Sequence, residues 1–396
     1  SNNIESRFDI ILDNLGYCSA PVPCAKRDQF ARAESLERAL HIHTVIGTRP
    51  EAIKMAPIAL AAQTRPAIVH QIVATGQQDQ LFDQAIEGFY ITVSRYLGLQ
   101  PRAGERALDV ETMCAALAEM FTLNRPDLVL VQGDTNSAYA AALAAHKKGI
   151  AIGHVEAGLR THIAERPWPE ERNRCAIARM ATLHFAPSLL AMDNLGAERV
   201  SGTIFLTGNP GIDALMMTAR PPMRMINGDH PILVTCHRRE NFGTPLAGIC
   251  TALRVLAERG DALITLPLHP NSQVRATILS LLEDAPRIRL IEPLDYPDMI
   301  AAIRASRMVI SDSGGLQEEC AALGIPLILM RDETERPEVV LSGNCVITGA
   351  SPGKIIAEAN RLLDDNSHHA RMSRPYLPYG DGKAAKRILD IIEHFI

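Results

Sequence analysis

Along most of the chain, short apolar runs rich in β-branched residues alternate with longer stretches of helical periodicity. The short runs predict strands at 42–47, 67–74, 128–132, 151–155, 183–187 and 203–207. A second series follows at 231–235, 262–267, 287–292, 307–311, 326–330 and 345–348. These runs are apolar almost without interruption, the pattern of parallel strands covered on both faces. Helices are expected between them, for example at 52–63, 137–148, 246–258, 272–283, 315–323 and 353–364. Such alternation implies an α/β protein with two doubly wound, Rossmann-like domains. The break is expected near the Pro-rich joint Arg220-Pro221-Pro222-Met223, giving domains at 39–210 and 211–377. Residues 1–38 carry Pro21, Pro23, a weak helical pattern at 28–39 and no strand run, and read as an appended arm.

Composition narrows the function. A chain of 396 residues is long for one core and suits two. A net charge of −5 and only 4% aromatic residues give no footing for nucleic acid or an anionic membrane. No apolar run approaches a membrane span, and no secretory leader is read at the N-terminus. The eight cysteines form no C-x-x-C pair, so a reduced, cytoplasmic protein without a zinc site is expected. A bridge between Cys18 and Cys24 is the one disulfide left open.

In open α/β sheets, ligands sit beyond the C-terminal ends of the strands. The unusual residues of this chain fall there. The run Met308-Val309-Ile310 ends in Ser311-Asp312-Ser313-Gly314-Gly315 and opens onto a helical segment. Free backbone N–H groups and the positive end of the helix dipole suit a phosphate there, and Gly314 and Gly315 let its oxygens approach. The carboxylates of the following Gln317–Glu319 stretch, Glu318 and Glu319, are placed to reach a sugar or ribose hydroxyl. Gly47-Thr48-Arg49-Pro50-Glu51-Ala52-Ile53-Lys54 follows the first strand. It is neither a dinucleotide fingerprint nor a P-loop, and offers Arg49 and Lys54 to an anion. Asp134, Glu156 and Glu170 lie on successive loops at one sheet edge, where carboxylates in a shared cleft divide acid and base roles. His237, Arg238 and Arg239 form a dense anion site at a strand tip, whereas His269 by itself reads as structural. Nothing has the ligand pattern of a metal centre.

These segments together resemble the non-hydrolysing UDP-N-acetylglucosamine 2-epimerases. The resemblance rests on Gly-Thr-Arg-Pro-Glu-Ala-Ile-Lys (47–54), Gly-Asp-Thr (133–135), His-Val-Glu-Ala-Gly-Leu-Arg (154–160) and Pro-Trp-Pro-Glu-Glu (167–171). It continues through Asn-Arg (173–174), Thr-Gly-Asn (207–209), His-Arg-Arg-Glu-Asn (237–241) and Asp-Ser-Gly-Gly-Leu-Gln-Glu-Glu (312–319). Thr-Glu-Arg-Pro-Glu (334–338) and Pro-Tyr-Gly-Asp-Gly-Lys-Ala (378–384) complete it, from about residue 41 to the end. It implies a GT-B-like pair of domains facing a cleft, with about 378–396 crossing back to the first domain. It implies a homodimer that interconverts UDP-GlcNAc and UDP-ManNAc without a nicotinamide cofactor, through 2-acetamidoglucal and bound UDP. Asp134, Glu156, Glu170 and His237 take the family's catalytic places. Arg49, Lys54, Arg174, Arg238, Asn241, Ser313, Gly314, Gly315, Glu319 and Arg336 take substrate-binding places.

Gln77, Gln80, Arg238 and His269 are the candidates for a second, activating UDP-GlcNAc site, where the absence of an arginine near Met113–Ala116 departs from the family. Two further departures are Gln78, where the family often has His, and the lack of an acidic residue in the few positions after Asn173-Arg174. Three other readings remain at this level: a hydrolysing 2-epimerase releasing UDP and ManNAc, a GT-B glycosyltransferase, and a non-catalytic nucleotide-sugar sensor.

Overall fold

The computed structural model describes residues 38–76, 80–99, 109–218, 230–269 and 271–396. The first sheet contains β1 (Leu40–Ile46), β2 (Ile68–Ala74), β3 (Arg95–Tyr96), β4 (Leu128–Gln132), β5 (Ala151–Val155), β6 (Leu183–Ala186) and β7 (Thr203–Leu206). Its strand order is β3-β2-β1-β4-β5-β6-β7. The second contains β8 (His230–Thr235), β9 (Ala262–Pro267), β10 (Ile288–Ile291), β11 (Met308–Ser311), β12 (Leu327–Leu329) and β13 (Cys345–Ile347), in the order β10-β9-β8-β11-β12-β13. Both sheets are parallel throughout. All twelve runs expected from the sequence are strands, with ends within two residues of the expected ones. The unexpected strand is β3. It is a two-residue edge with both residues exposed, so it has no apolar run to announce it.

The uninterrupted apolar runs have a direct structural cause. Leu128 and Leu130 point into one buried cluster, and Val129 and Val131 into another on the opposite face of the same strand. Neither face meets water, so no polar alternation is needed.

The connection that contains Arg220–Met223 lies outside the described residues, as do the arm, Cys18 and Cys24. The other six cysteines are free thiols. The last helix, Ala384–Phe395, returns to the first half as expected. Arg65 pairs with Asp390 and Glu393 at 2.6 and 2.5 Å, and Asp213, just past the expected boundary between the halves, accepts the backbone N–H groups of Ala384 and Ala385 at 3.1 and 2.9 Å. No helix among the described residues is long and apolar enough to cross a membrane.

Candidate active site

Each sheet reverses its strand order once, between β1 and β4 in the first and between β8 and β11 in the second. At such switch points neighbouring connections leave in opposite directions and open a crevice. The two crevices face each other across one cleft of about 560 Å³.

On the first-half side, the helix Arg49–Ala62 begins with Thr48 as its cap and Pro50 in its first turn. Glu51 reaches back to the Gly47 N–H at 3.0 Å and the Thr48 hydroxyl at 2.8 Å, closing a reciprocal cap. Thr135 donates to its other oxygen at 2.7 Å. Burial pushes the Glu51 carboxyl up to about 7 despite these bonds. Gly47 is required by packing, since a Cβ there would lie 2.0 Å from the Ser137 hydroxyl.

Beyond β4, Gly133 takes a φ of 69° and turns Asp134 into the cleft. Arg174 grips Asp134 with one guanidinium nitrogen and Glu171 with another at 3.0 Å. Beyond β5, Glu156 adopts a φ of 65°, a left-handed backbone that costs a non-glycine residue about 1–3 kcal/mol and tends to mark functional positions. Its Oε2 accepts from Lys54 and Gln132, both at 2.5 Å, and its Oε1 from Arg336 at 2.7 Å. Burial works against the charge, but Lys54 and Arg336 outweigh it and hold this carboxyl below its ordinary range.

On the second-half side, buried Asp312 organises the strand tips. It accepts the backbone N–H of His237 at 3.0 Å, that of Arg238 at 2.9 Å and the Asn241 side chain at 2.9 Å. Ser313 precedes the helix Gly314–Leu323 without capping it through its side chain, and Ser313, Gly314 and Gly315 line the cleft. A Cβ on Gly315 would meet nothing within 4 Å, so this turn is open to a ligand. Glu319 accepts from the Tyr296 hydroxyl at 2.9 Å, and burial pushes its carboxyl up to about 7. Burial, aided by His269 and Arg49, lowers the His237 imidazole below its ordinary value. Polar bonds join the two sides: Arg49 to the Leu294 carbonyl at 2.7 Å, Asn209 to Glu318 at 2.7 Å, and Ser188 to Glu338 at 2.6 Å.

The model of the family described as UDP-N-acetylglucosamine 2-epimerase matches residues 60–393. A UDP-N-acetylglucosamine 2-epimerase of Bacillus subtilis is 40% identical over 358 residues, 89% of this chain and 94% of the relative. The chain belongs to the UDP-N-acetylglucosamine 2-epimerase family. Among solved structures, the UDP-GlcNAc 2-epimerase of Neisseria meningitidis, bound to UDP-GlcNAc, is 34% identical with a TM-score of 0.85. That match covers 90% of this chain and all of the other. The S. aureus protein MnaA, in a structure with UDP, is 36% identical with a TM-score of 0.85, covering 90% and 96% of the two chains. The two-domain α/β architecture shared with these epimerases is the GT-B-like fold expected from the sequence.

Within the epimerase cleft, twelve expected residues line one space: Arg49, Lys54, Asp134, Glu156, Arg174, His237, Arg238, Ser313, Gly314, Gly315, Glu319 and Arg336. Three do not line it. Glu170 begins the helix Glu170–Ala178 and keeps its Oε2 buried without a partner among the described residues. Asn241 is buried against Asp312 and the Met330 carbonyl. His269 lies behind His237, their ring centres 5.5 Å apart. Gln77 falls outside the described residues, and Gln80 begins the helix Gln80–Gly88. Arg336 reaches the cleft with its guanidinium occupied by Glu156, Glu318 and Glu335. From the sequence, no site role attached to Glu51, Gln132, Glu171, Asp312 or Glu335. Local signals existed for Glu51, in the Thr48-x-x-Glu51 capping pattern, and for Glu171 and Glu335, in their i,i+3 and i,i+4 spacing from Arg174 and Arg331. Gln132 and Asp312 act through partners distant in sequence.

Proposed function

We propose that this protein catalyses the reversible interconversion of UDP-GlcNAc and UDP-ManNAc by elimination and re-addition of UDP. The observation that carries the reading is the single cleft in which Asp134 and Glu156 face the open helix start at Ser313–Gly315. The C2 proton of the sugar is not acidic, and oxocarbenium character at C1 makes it removable. As a carboxylate takes that proton, the C2–H electrons form the C1=C2 bond and the C1–O electrons leave with UDP. The reverse step adds a proton to the other face of C2 while a UDP oxygen rebonds to C1. Two faces call for two acid–base groups, drawn from Asp134, Glu156 and Glu170. The unpartnered Oε2 of Glu170 supports keeping it in this set.

Backbone N–H groups at Gly314 and Gly315, with Arg49, Arg238 and His237, hold the diphosphate and stabilise it as it departs. Glu319 receives a hydroxyl of the nucleotide. Arg336 holds Glu156 ionised, and Asn241 supports the His237–Arg238 tip through Asp312. The reaction needs no added nicotinamide or metal. We assign residues 39–210 with about 378–396 to the catalytic domain and 211–377 to the UDP-binding domain. We further place the protein in the cytoplasm as a homodimer, serving polysaccharide synthesis.

The test is incubation with UDP-GlcNAc in D₂O. The expected product is UDP-ManNAc carrying deuterium at C2. Release of free ManNAc would assign the hydrolysing reaction, and retention of the original C2 hydrogen would remove the elimination mechanism.

A further inference from the structure

We propose that Glu335, contributed by the second half, is a positioning residue that aligns both Asp134 and Glu156 for proton transfer; this rests on the epimerase reading above. Glu335 is only 2% exposed. Its Oε1 contacts Arg336, and the guanidinium of Arg174 lies 3.7 Å from the same oxygen. Arg174 holds Asp134, and Arg336 holds Glu156 at 2.7 Å. One buried anion thus stands behind both cations that orient the first half's carboxylates. Arg331 sits 2.8 Å from its other oxygen.

The phosphate turn meets the same group. A Cβ on Gly314 would come within 3.0 Å of Glu335 Oε1 and 3.1 Å of the Arg336 guanidinium. Loss of one member of a buried ion network lowers stability whatever its role, so a kinetic readout is what separates positioning from stability. Glu335 joins the diphosphate cradle to both acid–base groups. Displacement of reacting groups by about 1 Å costs about 10²-fold in rate.

The charges around these groups set the sign of the pH effect. Glu335 faces Arg331, Arg336, Arg174 and Arg238. Asp134 faces Arg174 and Glu51, and Glu156 faces Lys54, Arg336 and Arg174, with Glu318 behind Arg336. A neutral residue at 335 leaves Arg174 and Arg336 to act undivided on Glu156, so Glu156 ionises more readily. A neutral residue at 331 removes a cation and works the other way.

The experiment is steady-state epimerisation of UDP-GlcNAc by the full chain across pH. Glu335→Gln should lower kcat by about 10–100-fold, leave KM within about threefold, and move the acidic limb of kcat down by about 0.5–1 unit. Arg331→Gln should move that limb up. Thermal melting establishes folding, and if Glu335→Gln does not fold, the upward limb in Arg331→Gln alone supports the proposal. An unmoved limb, a loss confined to KM, or the same direction in both variants overturns it. A wild-type chain that forms no UDP-ManNAc removes the epimerase reading itself, an outcome separate from any variant effect.

Discussion

On the first-half side of the cleft, Asp134 and Glu156 are each fastened to a cation, and Glu156 takes three hydrogen bonds. On the second-half side, the opening at Ser313–Gly315 offers backbone N–H groups, and Glu319 touches a phenol instead of a cation. Glu156 and Glu319 follow this difference. Glu156 is held low by Lys54 and Arg336, whereas burial drives Glu319 up to about 7. One side is arranged to fix the charge and direction of acid–base groups. The other is arranged to receive charge from outside, where a fixed cation would be less discriminating than directed N–H groups.

The largest expected effect comes from the first side. Asp134→Asn or Glu156→Gln should lower kcat by roughly 10²–10⁴ while UDP binding, measured by calorimetry, survives. Near-normal turnover in both would erase the division of labour between the two sides. Next is Arg336→Ala, which strips one clamp from Glu156 and leaves Glu318 and Glu335 without it. It should lower kcat by about 10²-fold and also lower the melting temperature. A pure rise in KM would return Arg336 to the role of a diphosphate anchor. Gly315→Ala should raise KM for UDP-GlcNAc about tenfold, the scale of one lost hydrogen bond to a charged group, with stability unchanged or slightly higher. An unchanged KM would mean that the diphosphate does not approach that turn.

The smallest effect contrasts the cleft with the sheet behind it. His43 is buried on β1, and burial lowers its pKa to about 4. Its folded pKa lies below the unfolded value, so its contribution is present above about pH 6.5 and is lost as pH falls toward 4. Glu51 and Glu319 run the other way. Their folded values near 7 exceed the ordinary 4.5, so their contribution is present below pH 4.5 and is lost as pH rises through 7. His43→Leu should therefore raise the melting temperature more at pH 5 than at pH 7.5, with kcat unchanged. An equal gain at both values would show that His43 does not titrate across this range.

Twelve of the thirteen described strands, their parallel pairing class and the two-domain plan were legible in the sequence because buried parallel strands must be apolar on both faces. Most of the cleft was legible too, since strand-end loops of such sheets converge at switch points and carry short local motifs such as Gly-Asp-Thr and Asp-Ser-Gly-Gly. The contact map of those residues was not. Arg336 takes a substrate-binding place by its motif Thr-Glu-Arg-Pro-Glu, and folding brings Glu156 to it from 180 positions away in sequence. Asp312 supports the His237–Arg238 tip only because β8 and β11 lie side by side. Glu335 acquires its place between Arg174 and Arg336 only when the two halves meet. Periodicity and turn chemistry are local, so the sequence determined the elements and the edge where chemistry gathers. Which charge faces which depends on separations of a few ångströms between distant segments, and that was decided by the tertiary structure alone.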